Sequence, residues 1–290
     1  MDNSVSKEFI MPHLLLIDGH NLLFKMFYGM PEIRGRDGMK VQAVVGFASA
    51  MRKVVSLCRP SHMLVLFDSE ECGDRRQMCP DYKANRPDYS AMEPDDCPFT
   101  QLPYIYKLLE QMEIPHAEIH GCEADDVIAS YALRCSADGW TVLIMSTDKD
   151  YYQLIRENVT VMLYRGFDSA FVTPDVVHQK YGVYPDRFAD HKCLVGDKSD
   201  NISGVPGIGN KRAADLLNKY GSLDGVIANA ADVTPAKVRD ALLSSGELLV
   251  RNRQLILLDD SAPLPYEPDT LISPRFVSGG QALLEEIGVF

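Results

Sequence analysis

No apolar run in this 290-residue chain approaches the roughly 18 residues that a membrane-crossing helix needs, so no transmembrane helix is expected. The opening residues, MDNSVSKEFIMPH, carry acids and one lysine but no apolar centre, which sets aside a secretion signal. A cytoplasmic protein with a flexible stretch over residues 1–11 is the expectation. Cysteines are also poorly arranged for chemistry. Cys58, Cys72, Cys79, Cys97, Cys122, Cys135 and Cys193 are odd in number and contain no C-x-x-C pair, so neither a zinc site nor a disulfide framework is indicated. They read as reduced structural thiols. Positive charge is short as well, with 29 Lys and Arg against 41 Asp and Glu and a net charge of −12. Spread evenly, that balance would argue against nucleic acid as a partner. No internal repeat or low-complexity tract is present.

The acids are not spread evenly. Three short apolar runs each end on one: Leu14–Ile17 before Asp18, Met63–Phe67 before Asp68, and Val142–Met145 before Asp148 and Asp150. Continuous runs of this length suit strands buried on both faces of a parallel sheet. Stretches with helical spacing, Val41–Leu57, Leu102–Met112 and Val127–Leu133, lie between them, which indicates an α/β fold. Open α/β sheets bind ligands outside the carboxyl ends of their strands, so Asp18, Asp68 and Asp148 are placed to converge. Each acid alone reads equally well as a turn former or helix cap. The stretch GCEADDVIAS adds Glu123, Asp125 and Asp126. Like charges so close raise one another's pKa unless a cation sits among them. From about residue 175 the pattern changes to short helical stretches with Gly-rich turns. The expected organisation is an α/β part over 12–174, a helical region over 175–290, and a mobile Pro- and acid-rich surface segment at 86–103.

A second chemistry-bearing stretch is GDKSDNISGVPGIGNKRAADLL, residues 196–217. Asp197 and Asp200 stand three apart, within one turn. Gly204, Gly207 and Gly209 then precede Lys211 and Arg212 at the start of an apolar helix, and such turns present N–H groups to an anion. A nucleotide-triphosphate loop nearly fits, but Asn210 follows Gly209 where that loop needs Lys, and no buried strand precedes the glycines as a dinucleotide site requires. A hairpin suited to a nucleic-acid phosphate is left, with an ordinary helix connector as the alternative. Removing Asp18, Asp68, Glu123, Asp125, Asp126, Asp148, Asp150, Asp197 and Asp200 from the 41 acids leaves 32 against 29 bases, so the acidity is concentrated. A set of carboxylates without His or Cys suits Mg²⁺ or Mn²⁺ better than zinc. Two such ions stabilise the attacking and leaving oxygens of a phosphodiester. The third stretch, DRRQMCPDYKANRPDY, brings Tyr82, Lys83 and Arg86 close behind Asp68. On a helix Lys83 and Arg86 would share a face. The cations could hold a scissile phosphate while Tyr82 stacks a base, a solvated basic turn being the alternative.

Together the stretches LLIDGHNLLFKMFYG, the Asp68-to-Arg75 spacing followed by YKANR, GCEADDVIAS, STDKDYYQLI and GDKSDNISGVPGIGNKRA resemble the 5′-nuclease family. That family comprises flap endonucleases and the 5′–3′ exonuclease domain of bacterial DNA polymerase I, and the likeness runs from about residue 12 to the C-terminus. The resemblance implies a parallel-sheet PIN/SAF-like core, a helical arch at about 69–104, and a helix-three-turn-helix element at about 190–220. It implies two divalent-metal sites, with Asp18, Asp68, Glu123, Asp125 and Asp126 around the first and Asp148, Asp150, Asp197 and Asp200 serving the second. Lys83 and Arg86 become arch cations beside Tyr82, while Arg75, Gly204, Gly207, Gly209 and Lys211 face DNA. Backbone oxygens of the hairpin are expected to bind K⁺. The implied activity is flap-endonuclease and 5′–3′ exonuclease cleavage of DNA at 5′-flap junctions, in replication and repair, by a monomer. No polymerase or proofreading region is recognisable, so a stand-alone bacterial or phage-type member is expected. Two rivals stand: a metal-dependent phosphatase using the D-x-D of STDKD, and a DNA-structure-binding protein without catalysis. The terminal QALLEEIGVF superficially suggests a sliding-clamp peptide from Gln281, but it lacks the aromatic pair and reads as a packing segment.

Overall fold

A computed structural model describes residues 13–69, 74–275, 277 and 280–289, and the flexibility expected of residues 1–11 lies outside them. Six strands form the central sheet: β1 (Leu14–Asp18), β2 (His62–Phe67), β3 (His116–Glu118), β4 (Val142–Met145), β5 (Val159–Leu163) and β6 (Ala170–Val172). Their order is β3-β2-β1-β4-β5-β6, with every neighbouring pair parallel except β5 and β6. In register, Leu16 lies between Leu64 and Ile144. Alternate side chains serve opposite faces, as a strand's two-residue period requires. Leu15, Ile17, Met63, Val65 and Phe67 join one core, whereas Leu14, Leu16, Leu64 and Leu66 join the other. Both faces are covered, which is why the three central strands read as continuous apolar runs.

The helices of the first half are α1 (Gly19–Gly29), α2 (Gln42–Cys58), α3 (Asp74–Met78), α4 (Leu102–Gln111) and α5 (Ala124–Ala137). The second half adds α6 (Pro174–Tyr181), α7 (Phe188–Val195), α8 (Asn210–Tyr220), α9 (Leu223–Ala228), α10 (Ala236–Leu243), α11 (Gly246–Ile256) and α12 (Gln281–Glu286). Residues of α1, α2, α4 and α12 cover one face of the sheet, and α5 covers the other. The Gln281 segment is thus a packing element, with Leu283 and Leu284 buried in the core. No side chain of its own caps the start of α2. Gln101 does so from a distance, its Oε1 accepting the Ala43 and Val44 N–H groups at 2.9 and 3.3 Å.

A third apolar cluster holds α7 to α11 together with a ribbon of β7 (Gly196–Asp197) and β8 (Ile202–Ser203). Between β2 and α4, the described part of the arch segment contains α3 and three 3-10 turns, at Tyr89–Ala91, Pro94–Asp96 and Pro98–Gln101. Among the described residues no helix is long and apolar enough to cross a membrane. β1 is flanked by β2 on one side and β4 on the other, so the strand order reverses there, and open α/β sheets bind ligands at the carboxyl ends beside such a point.

Candidate active site

Asp18 is the last residue of β1 and the N-cap of α1, its Oδ1 accepting the Asn21 N–H at 3.0 Å. Its Oδ2 accepts the hydroxyls of Ser146 and Tyr151 at 3.0 and 3.1 Å. Burial, and then the charges of Asp68 and Asp148, push its pKa up to about 6. Asp68, one residue beyond β2, accepts the Ala124 N–H at 2.8 Å and has its Oδ2 3.0 Å from His20 Nδ1. Burial would raise its pKa, but His20 and that N–H outweigh it and hold the carboxyl at about 2. Asp148 lies exposed past β4, its Oδ1 accepting the Asp150 N–H at 2.9 Å. Asp18, Asp68 and Asp148 line one open cavity of about 1140 Å³ together with Tyr82, Lys83 and Arg86.

Beside these acids, Glu123 caps α5, and Asp125 and Asp126 occupy its first turn. Burial, then the charges of Glu123 and Asp126, raise the Asp125 carboxyl well above its usual range. Its Oδ1 is buried without a hydrogen-bond partner. Cations sit among the three. Arg75 Nη2 donates to Asp126 Oδ1 at 2.7 Å, and its Nη1 lies 3.4 Å from Glu123 Oε2 and 3.6 Å from Asp125 Oδ1. Lys83 Nζ lies 2.5 Å from Glu123 Oε2. A second group comprises Asp150, Asp197 and Asp200, one carboxylate oxygen of each lying within 4.8 Å of the others. Lys192 pairs with both Asp150 and Asp197, and Arg86 Nη2 donates to Asp200 Oδ1 at 2.8 Å. Burial carries Asp150 up to about 6 despite Lys192. In Asp197, burial is outweighed by Lys192 and Ser199, and the carboxyl falls to about 2.

Several expected contacts are corrected by these positions. Tyr82, expected to stack a base, is 3% exposed and packed into the helical core, with Lys83 Nζ 4.7 Å from its ring centre. Lys83 and Arg86 sit on a turn, not a helix, with Lys83 at φ +56°, so they reach different acids rather than share a face. Arg75 is 9% exposed and turned to Glu123, Asp125 and Asp126. Gly204 answers to packing, since a Cβ there would lie 2.1 Å from the Val195 carbonyl oxygen. Gly207, at φ +79°, and Gly209 have open space around them. Gly209 caps α8, Lys211 is exposed in its first turn, and Arg212 donates to the Gly207 carbonyl at 2.6 Å.

Sequence reasoning missed His20, Ser146, Tyr151 and Lys192. Lys192 left a signal: it occupies the same face of α7 as Phe188, a position where a charge is buried only if paired. His20 and the two hydroxyls left none beyond adjacency to Asp18 and Asp148.

The description "5′-3′ exonuclease, N-terminal resolvase-like domain" matches residues 13–182, and "5′-3′ exonuclease, C-terminal SAM fold" matches 183–276. DNA polymerase I of Bacillus caldotenax is 34% identical over 260 residues, 89% of this chain but 29% of that protein. The chain therefore spans under a third of that relative's length. A bacteriophage T5 flap endonuclease, solved as a pseudo-enzyme–product complex with DNA and metal ions, superposes with a TM-score of 0.71 at 25% identity, covering 85% of this chain and 89% of its own. The catalytic core of Rad2, solved with a DNA substrate, shares the fold alone, at 13% identity and a TM-score of 0.60 over 96% of this chain and 89% of its own. With its mostly parallel sheet, strand-end carboxylates and matches to both domains of the family over residues 13–276, the chain belongs to the 5′-3′ exonuclease family.

Proposed function

We propose that this protein is a structure-specific 5′ nuclease that hydrolyses DNA phosphodiesters at 5′-flap junctions with the help of divalent cations, in replication and repair. The observation that carries the reading is that Asp18, Asp68 and Asp148, from three strand ends, line one cavity with Lys83 and Arg86, which in turn pair with Glu123 and Asp200. The donor set fits Mg²⁺ or Mn²⁺. It is all oxygen, three of its members approach within 4.8 Å, and Asp125 keeps a buried oxygen without a hydrogen-bond partner. Asp18, Asp68, Glu123, Asp125 and Asp126 would hold one cation, and Asp148, Asp150, Asp197 and Asp200 a second. Bound there, the two cations would stabilise the attacking and leaving oxygens of the phosphodiester.

The chain's own cations do the rest. Lys83 and Arg86, now paired with Glu123 and Asp200, are within the same cavity and are the groups to grip the scissile phosphate. Arg75 and Lys192 stay buried and balance the carboxylates. Duplex DNA is held by the Gly207–Lys211 hairpin, whose open glycines and helix start admit a phosphate. Potassium bound to hairpin carbonyls, a nuclease part over 12–174 with a DNA-binding part over 175–290, and a monomeric, cytoplasmic state belong to the same reading. A 5′-labelled flap duplex tests it: cleavage at the junction with Mg²⁺ and none with EDTA supports it. Hydrolysis of p-nitrophenyl phosphate with the flap left intact would support the phosphatase rival instead.

A further inference from the structure

Two segments far apart in sequence are sewn together at the rim of the acid cluster. The Lys83 N–H donates to the Asp200 carbonyl at 3.0 Å. Asn201 Nδ2 donates to the Asp81 carbonyl at 2.8 Å, and Asn85 Nδ2 to the Lys198 carbonyl at 3.0 Å. Three hydrogen bonds thus cross between 81–85 and 198–201, two of them from side-chain amides that the reaction scheme leaves unused. The backbone on both sides is unusual. Lys83 has φ +56° and Asn201 φ +58°, the left-handed region that asparagine tolerates and lysine does not favour. Such backbone persists where surrounding contacts over-determine it, and it gathers at functional sites. Here the turn directs the Lys83 N–H to Asp200 while its Nζ reaches Glu123.

The location adds a consequence. Residues 198–201 join β7 to β8, and β8 runs straight into the glycine hairpin. Both asparagines are exposed, where one hydrogen bond contributes little to global stability. Their effect is therefore to be sought in geometry. We propose that Asn85 and Asn201 are positioning residues: they lock the Lys83 turn to the 198–201 loop, so that the phosphate-gripping lysine is held in one place beside Glu123 and Asp200. The proposal rests on the nuclease reading above.

The test is single-turnover cleavage of a 5′-labelled flap duplex in Mg²⁺ by the wild type, Asn85→Ala and Asn201→Gly, each with and without Lys83→Ala. Glycine at 201 keeps the backbone conformation and removes only the amide. Each single variant is expected to lose on the order of tenfold to a hundredfold in rate, the scale of misplacing a reacting group by about 1 Å. Flap affinity and the urea midpoint should stay within error, and Asn85→Gln, which keeps the donor, should recover part of the rate. In the Lys83→Ala background the asparagine changes should cost nothing further, because groups acting through one another are not additive. Losses that multiply with Lys83→Ala, losses that appear in affinity or in the urea midpoint, or unchanged rates would overturn the proposal. A wild type that leaves the flap uncut in Mg²⁺ would instead overturn the nuclease reading itself.

Discussion

Lys83 sits on a buried tyrosine ring and against Glu123, yet opens onto the same cavity as Asp18, Asp68 and Asp148. A cation so placed is worth most when charge develops on a phosphate. Lys83→Ala should therefore lower the single-turnover rate on a flap by ~10²-fold or more, the scale of removing one transition-state stabiliser. Affinity should change far less, since one phosphate contact among many supplies only part of the binding. A collapse in affinity with an unchanged saturated rate would reassign Lys83 to binding. Arg75 separates from it in the opposite sense. Its guanidinium is buried against Asp126, Glu123 and Asp125. Arg75→Met should cost about 3–5 kcal/mol of stability, the penalty for leaving buried charges without their partner. Urea unfolding in EDTA measures it, and a salt slope of DNA binding identical to wild type would accompany it. The strand-end acids were legible because an apolar run stopping on Asp places that Asp at a sheet edge. Burial was not: Tyr82 and Arg75 read as surface groups because a short segment gives no sign of which core will receive it.

Among elements, the glycine hairpin is the proposed grip on duplex DNA. Gly207 adopts φ +79° with nothing nearby, so Gly207→Val harms the backbone conformation and not a packing contact. Binding of flap and plain duplex should weaken alike, with Mg²⁺ affinity unchanged, as titrations of each would register. Lys211→Ala should reduce the magnitude of the salt slope by roughly 0.9 in log–log units, one phosphate's worth. An unchanged slope would remove the hairpin from the DNA contact. The hairpin's position before a helix was readable from glycine spacing, and α2, α4 and α5 from apolar periodicity. β3, β5 and β6 were not. β3 is three residues long, β6 is a three-residue edge strand, and β5 carries a half-exposed Thr160 that breaks its apolar run. Short edge strands owe their existence to a neighbour, which no local pattern announces.

For the whole molecule the governing fact is charge. A chain at −12 is a poor partner for a polyanion unless its acids are gathered where cations neutralise them. Buried Arg75 and Lys192, half-buried Lys83 and partly exposed Arg86 do so in part, and divalent ions complete the neutralisation in the proposed enzyme. Asp148 is the acid that tests this best, because it is exposed and an asparagine there still offers an oxygen to the Asp150 N–H. The measurement is single-turnover cleavage of a labelled 5′-flap duplex in Mg²⁺, with flap affinity determined in parallel, for wild type and Asp148→Asn. Cleavage should vanish while affinity stays the same or rises, since one repulsive charge near the phosphates is gone. Near-normal turnover by Asp148→Asn would contradict the assignment of these carboxylates to catalytic metal.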